Sequence, residues 1–203
     1  MRLKEEFTHT IEIEKSRFIC ILSRVFSEAE AREKIQSIRK EMPDATHHCT
    51  AFVIGENHEL ARSNDDGEPS GTAGVPMLEA LKRSGLHDTL AVVVRYFGGI
   101  KLGAGGLVRA YSRSVSEAVA LAKKTKTMNM QHYVLTIPYS LLGKMEYTLK
   151  NCDVVNKEYG EMVSLEFYAE SQQMETVISE CTSGKYLPVH LEEVVVERVI
   201  AND

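Results

Sequence analysis

The sequence predicts an α+β protein of two domains, and three observations carry that expectation. Strand-like and helix-like hydrophobic periods alternate along almost the whole chain. The pattern resets near residues 125–131 (TKTMNMQ). Charge is unequal across that point: residues 1–127 hold 19 Lys and Arg against 17 Asp and Glu, whereas residues 128–203 hold 5 against 12. Such asymmetry suggests two units with different partners, so the domains are expected at 1–127 and 128–203. A chain that is 43% hydrophobic and 26% charged has enough apolar material for a core, which excludes a disordered class. No stretch approaches the roughly 20 apolar residues that cross a bilayer. Charge in the opening Met1–Phe7 argues against a secretory signal, so no membrane contact and a cytoplasmic location are expected.

In the first domain, residues 17–25 (RFICILSRV) read as a strand. Ser27 and Glu30 have capping-box spacing. Ala31, Ile35, Ile38 and Met42 then recur at helical intervals, predicting an amphipathic helix over 28–42 that Pro43 and Asp44 end. Residues 46–54 and 59–63 read as strands around the turn Gly55–His58. The polar stretch Ser63–Gly71 is a loop, and 74–84 is a short helix with Val75, Leu78 and Leu81 on one side. Residues 89–97 (TLAVVVRYF) form the most hydrophobic run, a central strand buried on both faces. A glycine loop follows, then a helix over about 105–124.

The second domain alternates more plainly. A strand at 132–138 precedes a helix capped by Ser140 and carrying Leu141, Leu142, Met145 and Leu149. Strands at 153–159 and 162–169 meet across Gly160. A helix capped by Ser171 carries Met174, Val177, Ile178 and Cys181, and a last strand spans 188–199. The order βαββαβ is that of a ferredoxin-like sandwich. The four cysteines (Cys20, Cys49, Cys152, Cys181) have no short spacing, so buried, reduced thiols are expected rather than structural zinc.

The strongest local signal is Arg95–Arg109 (RYFGGIKLGAGGLVR), where a buried strand enters a loop with five glycines among residues 98–106 and leaves it as a helix. Glycine lets backbone amides approach a ligand closely, and the unpaired amides of a helix N-terminus favour an anion. The amides of Gly103, Gly105 and Gly106 are therefore candidates for an anion notch, with Arg95 and Lys101 beside it. Close strand–helix packing is the alternative reason for those glycines. Farther along the helix, Arg109 and Arg113 share the face opposite its apolar stripe. Residues 89–127 hold seven Lys and Arg against one acid, Glu117, a balance that suits a phosphate backbone. Arg113 has Glu117 one turn away as a competing partner.

A second candidate is the acidic loop Arg62–Gly74 (RSNDDGEPSGTAG). Asp65, Asp66 and Glu68 could hold Mg²⁺, with His47 or His48 as a base, which would make an enzyme on a phosphorylated metabolite or nucleotide. The same residues also spell a tight turn whose Asp side chains satisfy local amides. His47 and His48 are adjacent on a strand and face opposite ways, so they cannot chelate one ion together. No nucleophile, base and orienting group assemble from the sequence, and neither a catalytic residue nor a cofactor is expected.

Ser63–Gly74 followed by Val93–Gly103 resembles the signature of the IMPACT/YigZ family, and the resemblance covers about residues 16–125. It implies a first domain like the second domain of ribosomal protein S-five, and a ferredoxin-like second domain similar to late domains of elongation factor G. Eukaryotic relatives restrain a starvation-responsive kinase acting on translation initiation by competing for its activator. Nothing in these 203 residues matches the partner-binding domain of those relatives, so that role is not expected here. The expectation is a translation-associated regulator that binds RNA or the ribosome through Arg95, Lys101, Arg109 and Arg113. The acidic second domain would be open to a basic protein partner.

Overall fold

A computed structural model describes residues 1–170 and 173–200. The chain divides into two units, Met1–Lys126 with the end of the last strand, and Thr127–Arg198. The architecture is mixed α and β in both.

The first unit is built on an antiparallel sheet of order β2-β3-β6-β4-β5, made of β2 (Phe7–Ile13), β3 (Ser16–Arg24), β4 (His47–Ile54), β5 (Leu60–Asn64) and β6 (Thr89–Tyr96). A two-residue strand β1 (Arg2–Leu3) lies outside it and pairs with Lys124 and Thr125. Helices α2 (Gly74–Ser84) and α3 (Gly103–Leu121) cover one face, where Phe18, Cys20, Ala91 and Val93 meet Met77, Leu81, Ala110 and Tyr111. Helix α1 (Glu28–Glu41) covers the other, where Ala31 and Ile38 meet Ile21, Phe52, Leu90, Val92 and Val94. Every residue of β6 from Thr89 to Arg95 is buried, because a strand with helices on both faces has no solvent side.

The cap of α1 forms with a shifted partner. Ser27 Oγ accepts from the Glu30 amide at 3.2 Å, and the Glu30 carboxylate reaches back to the amide of Phe26, one residue before the cap, at 2.8 Å. The turn between β2 and β3 consists of Glu14 and Lys15, with φ of 47° and 62°. Two left-handed residues in succession make the turn that matches the twist of a two-stranded hairpin.

In the second unit β7 (Lys124–Ile137), α4 (Leu142–Thr148), β8 (Asp153–Tyr159), β9 (Val163–Ala169), α5 (Met174–Thr182) and β10 (Val189–Ile200) follow in the order βαββαβ, with sheet order β10-β7-β9-β8. Tyr133, Leu135, Ile137, Leu165 and Phe167 share one core with Met145, Leu149, Met174 and Ile178, so both helices lie on the same face.

Several expectations need correction. Strands β1 and β2 are absent from the sequence-based prediction, and β7 starts at Lys124 rather than 132, so it runs through the whole segment assigned to the domain boundary. Pairing with β1 and burial of Thr125 and Met130 extend it, and both come from distant parts of the chain. Helix α3 begins at Gly103 and ends at Leu121. Ser140 lies in a short 3-10 turn, Tyr139–Leu141, and caps nothing. The cap assigned to Ser171 lies outside the described residues. Cys20 and Cys49 are buried, whereas Cys152 and Cys181 are only partly so, and all four are free. Among the described residues, no helix is long and apolar enough to cross a membrane.

Candidate anion-binding site

The loop between β5 and α2 spends its acids on the protein itself. Asp65 Oδ1 accepts from the amides of Ala73 and Gly74 at 3.0 and 2.8 Å, and Oδ2 from that of Gly71 at 2.8 Å. Burial opposes ionisation of Asp65, but these amides outweigh it and hold its carboxyl below the usual Asp range. Asp66 takes Arg39 Nη2 at 2.5 Å and the His48 amide at 2.6 Å, which fastens the loop to α1 and β4. Glu68 turns into the domain. The three carboxylates therefore point at three different sets of donors. Among the described residues no group of His, Cys, Asp and Glu could hold a metal ion. The geometry thus does not assemble the metal site considered for Asp65, Asp66 and Glu68.

His47 and His48 do face opposite ways. His47 Nδ1 lies 2.8 Å from the carbonyl of Asp66, and His48 Nε2 lies 3.0 Å from that of Met42. Each histidine anchors a loop carbonyl.

Arg95, expected at an exposed cationic surface, is instead 5% exposed. It shares the parity of Ala91 and Val93 on β6 and so points under α3. Its Nη1 meets Glu68 Oε1 at 2.5 Å, its Nη2 donates to Ser16 Oγ at 3.3 Å, and its guanidinium lies over Phe18 and Phe97. Tyr111 donates to the same Glu68 oxygen at 2.8 Å, and the Cys49 thiol donates to the Tyr111 oxygen at 3.3 Å. Burial above all pushes the Cys49 thiol up to about 12, and it raises the Tyr111 phenol as well. Neither ionises near neutrality, so Cys49 is no nucleophile. The network is one buried ion pair with neutral neighbours.

The glycines of the loop differ in what they face. A side chain at Gly98 would sit 2.0 Å from the Lys15 carbonyl carbon, so that glycine lets the loop close on the β2–β3 turn. Gly103, by contrast, has φ of +67° and nothing within 4 Å of where a side chain would stand. It starts α3 from a left-handed conformation, and no side chain caps this end. Gly105 and Gly106 lie in the first turns. Lys101, Gly106, Arg109 and Arg113 line one open groove of about 490 Å³ together with Glu14 and Ile13. Arg113 is bound to Glu117 at 2.6 Å, although its side chain stays 62% exposed. Lys101 and Arg109 form no ion pair with any described residue. Of the predicted cationic set the structure brings together three members and withdraws Arg95.

A family model described as the Impact N-terminal domain matches residues 14–119. The chain belongs to the IMPACT family. It is similar to IMPACT family member YvyE of Bacillus subtilis, 52% identical over 90% of this chain and 87% of that protein. It is 42% identical to IMPACT family member YigZ of Escherichia coli, over 76% of this chain and 78% of the relative. A crystal structure described as that of a hypothetical protein aligns at 35% identity with a TM-score of 0.60, covering 94% of this chain and 96% of that one.

The IMPACT match contains the acidic loop, the buried pair and the groove alike. Sequence reasoning missed the Arg95–Glu68 pair, for which a signal existed. An arginine in phase with Ala91 and Val93 on a strand buried on both faces must bring a carboxylate inside with it.

Proposed function

We propose that this IMPACT family protein is a cytoplasmic, translation-associated regulator that binds the phosphate backbone of RNA or of the ribosome. The observation that carries this reading is the groove along α3, where Lys101, Arg109 and Arg113 converge on an open surface beside an uncapped helix N-terminus. Unpaired, solvated cations on one face are what counterion release requires. The exposed Arg113–Glu117 pair contributes little to stability and can yield to a phosphate. The first domain is read as related to the second domain of ribosomal protein S-five and the second as ferredoxin-like. The second domain's acidic balance is taken as a surface for a basic protein partner. Free cysteines suit a reducing compartment.

Fluorescence anisotropy with purified ribosomes and a labelled single-stranded RNA, across a salt series, tests the proposal. Lys101→Glu with Arg109→Glu should weaken binding and reduce the salt dependence by about 0.7 in log–log slope for each phosphate no longer neutralised. A wild-type protein that binds neither RNA nor ribosomes at low salt would overturn it.

A further inference from the structure

A separate cavity of about 370 Å³ opens on the other side of Lys101. It shares only Lys101 and Leu102 with the groove. The buried pair forms its polar wall, and Pro69, Phe97 and Leu107 its apolar one. Gly103 and Ala104 bring the start of α3 to the same opening.

The polar wall is incompletely satisfied. The Glu68 side chain is 4% exposed, yet both of its side-chain donors, Arg95 and Tyr111, go to Oε1. Oε2 receives a hydrogen bond from no described residue. Arg95 Nε is buried without a partner as well. A buried donor without a partner is costly, whereas Oε2 is the oxygen left open to the cavity and takes a donor from whatever fills it. The carboxylate oxygen needs a donor from the ligand. The same cavity is lined by Lys101 and by the start of α3, whose ammonium, amides and dipole favour an anion.

We propose that this cavity binds a phosphate monoester whose carbon skeleton carries a hydroxyl, the phosphate lying between Lys101 and the first turn of α3 and the hydroxyl donating to Glu68 Oε2. A sugar phosphate has both groups. The volume lies at the small end of ligand pockets, roughly 300–1,000 Å³, which suits a single sugar phosphate rather than an extended strand. The same chemistry occurs at the 5′-phosphorylated end of an RNA. The proposal does not rest on RNA binding in the groove.

Calorimetric titration of the whole chain with ribose 5-phosphate, ribose and inorganic phosphate tests it. Ribose 5-phosphate should saturate one site, with each fragment weaker by roughly tenfold or more. Ala104→Glu is the decisive variant, because Ala104 is exposed and an acid in the first turn of a helix favours folding. It should keep the thermal midpoint and lose roughly tenfold or more in affinity. A 5′-phosphorylated oligoribonucleotide compared with its 5′-hydroxyl form separates the sources: preference for the former assigns the site to RNA ends, and indifference to free sugar phosphates. The proposal is overturned if neither ribose 5-phosphate nor the phosphorylated oligonucleotide binds at millimolar concentration. Binding of Ala104→Glu as tightly as wild type would also overturn it. Loss of the RNA reading would appear separately, as Arg109→Glu without effect on anisotropy.

Discussion

Glu68→Gln isolates the charge of the buried pair while preserving its shape. The amide oxygen still accepts from Tyr111, so the change leaves one uncompensated guanidinium at a residue 5% exposed. Breaking one side of a buried pair costs about 3–5 kcal/mol. Ser16 Oγ and the faces of Phe18 and Phe97 still contact Arg95, which places the expectation near the lower figure, about 3 kcal/mol. Arg95→Met removes the other partner and should cost a similar amount. The double variant replaces two charges by neutral groups of similar volume and should lose no more than either single one, a coupling of about 3 kcal/mol. Urea unfolding followed by circular dichroism suits a chain without tryptophan. With a slope of about 2 kcal/mol per molar, each single variant should shift the midpoint by about 1.5 M. Single losses below about 1 kcal/mol that simply add would refute the reasoning, because they would mean that water reaches the pair. The folded double variant should also lose ribose 5-phosphate binding, since the cavity wall then has no carboxylate.

Asp65→Asn removes an anion that three loop amides bind. It should cost about 1–3 kcal/mol at neutral pH. The Asp65 carboxyl titrates lower folded than unfolded, so its contribution is complete above the ordinary Asp value of 3.8 and is lost as pH falls through the lowered one. The gap between wild type and variant should therefore close in acid unfolding curves below about pH 4. Ser27→Ala should cost about 1 kcal/mol by removing the α1 cap, read from the thermal midpoint. Gly98→Ala forces a methyl group into the Lys15 backbone, and a loss at the upper end of about 1–3 kcal/mol is expected, measured by urea unfolding.

Local patterns made most of the fold legible. Helix α2 and strands β4, β6 and β9 fall within about a residue of where hydrophobic period placed them, because each buries a face its own sequence defines, and β8 does so although all but its first residue are exposed. Strand β2 carries an alternation in Phe7, Ile11 and Ile13, but Thr and His interrupt it and mask the period. The start of β7 has no such signal: Lys124 and Thr125 are extended because Leu3 and Arg2 lie beside them.

For the site, three segments were legible as candidates in the amino-acid order: an acidic loop, a glycine turn out of a buried strand, and a basic helix face. Tertiary structure alone decided how they divide. It turned Arg95 and Glu68 inward as a pair and spent Asp65 and Asp66 on the loop. Lys101, Arg109 and Arg113 were left to the surface. The physical reason is that a charge's role depends on its solvent and its partner. Both are set by which strands become neighbours, and no window of sequence contains that information.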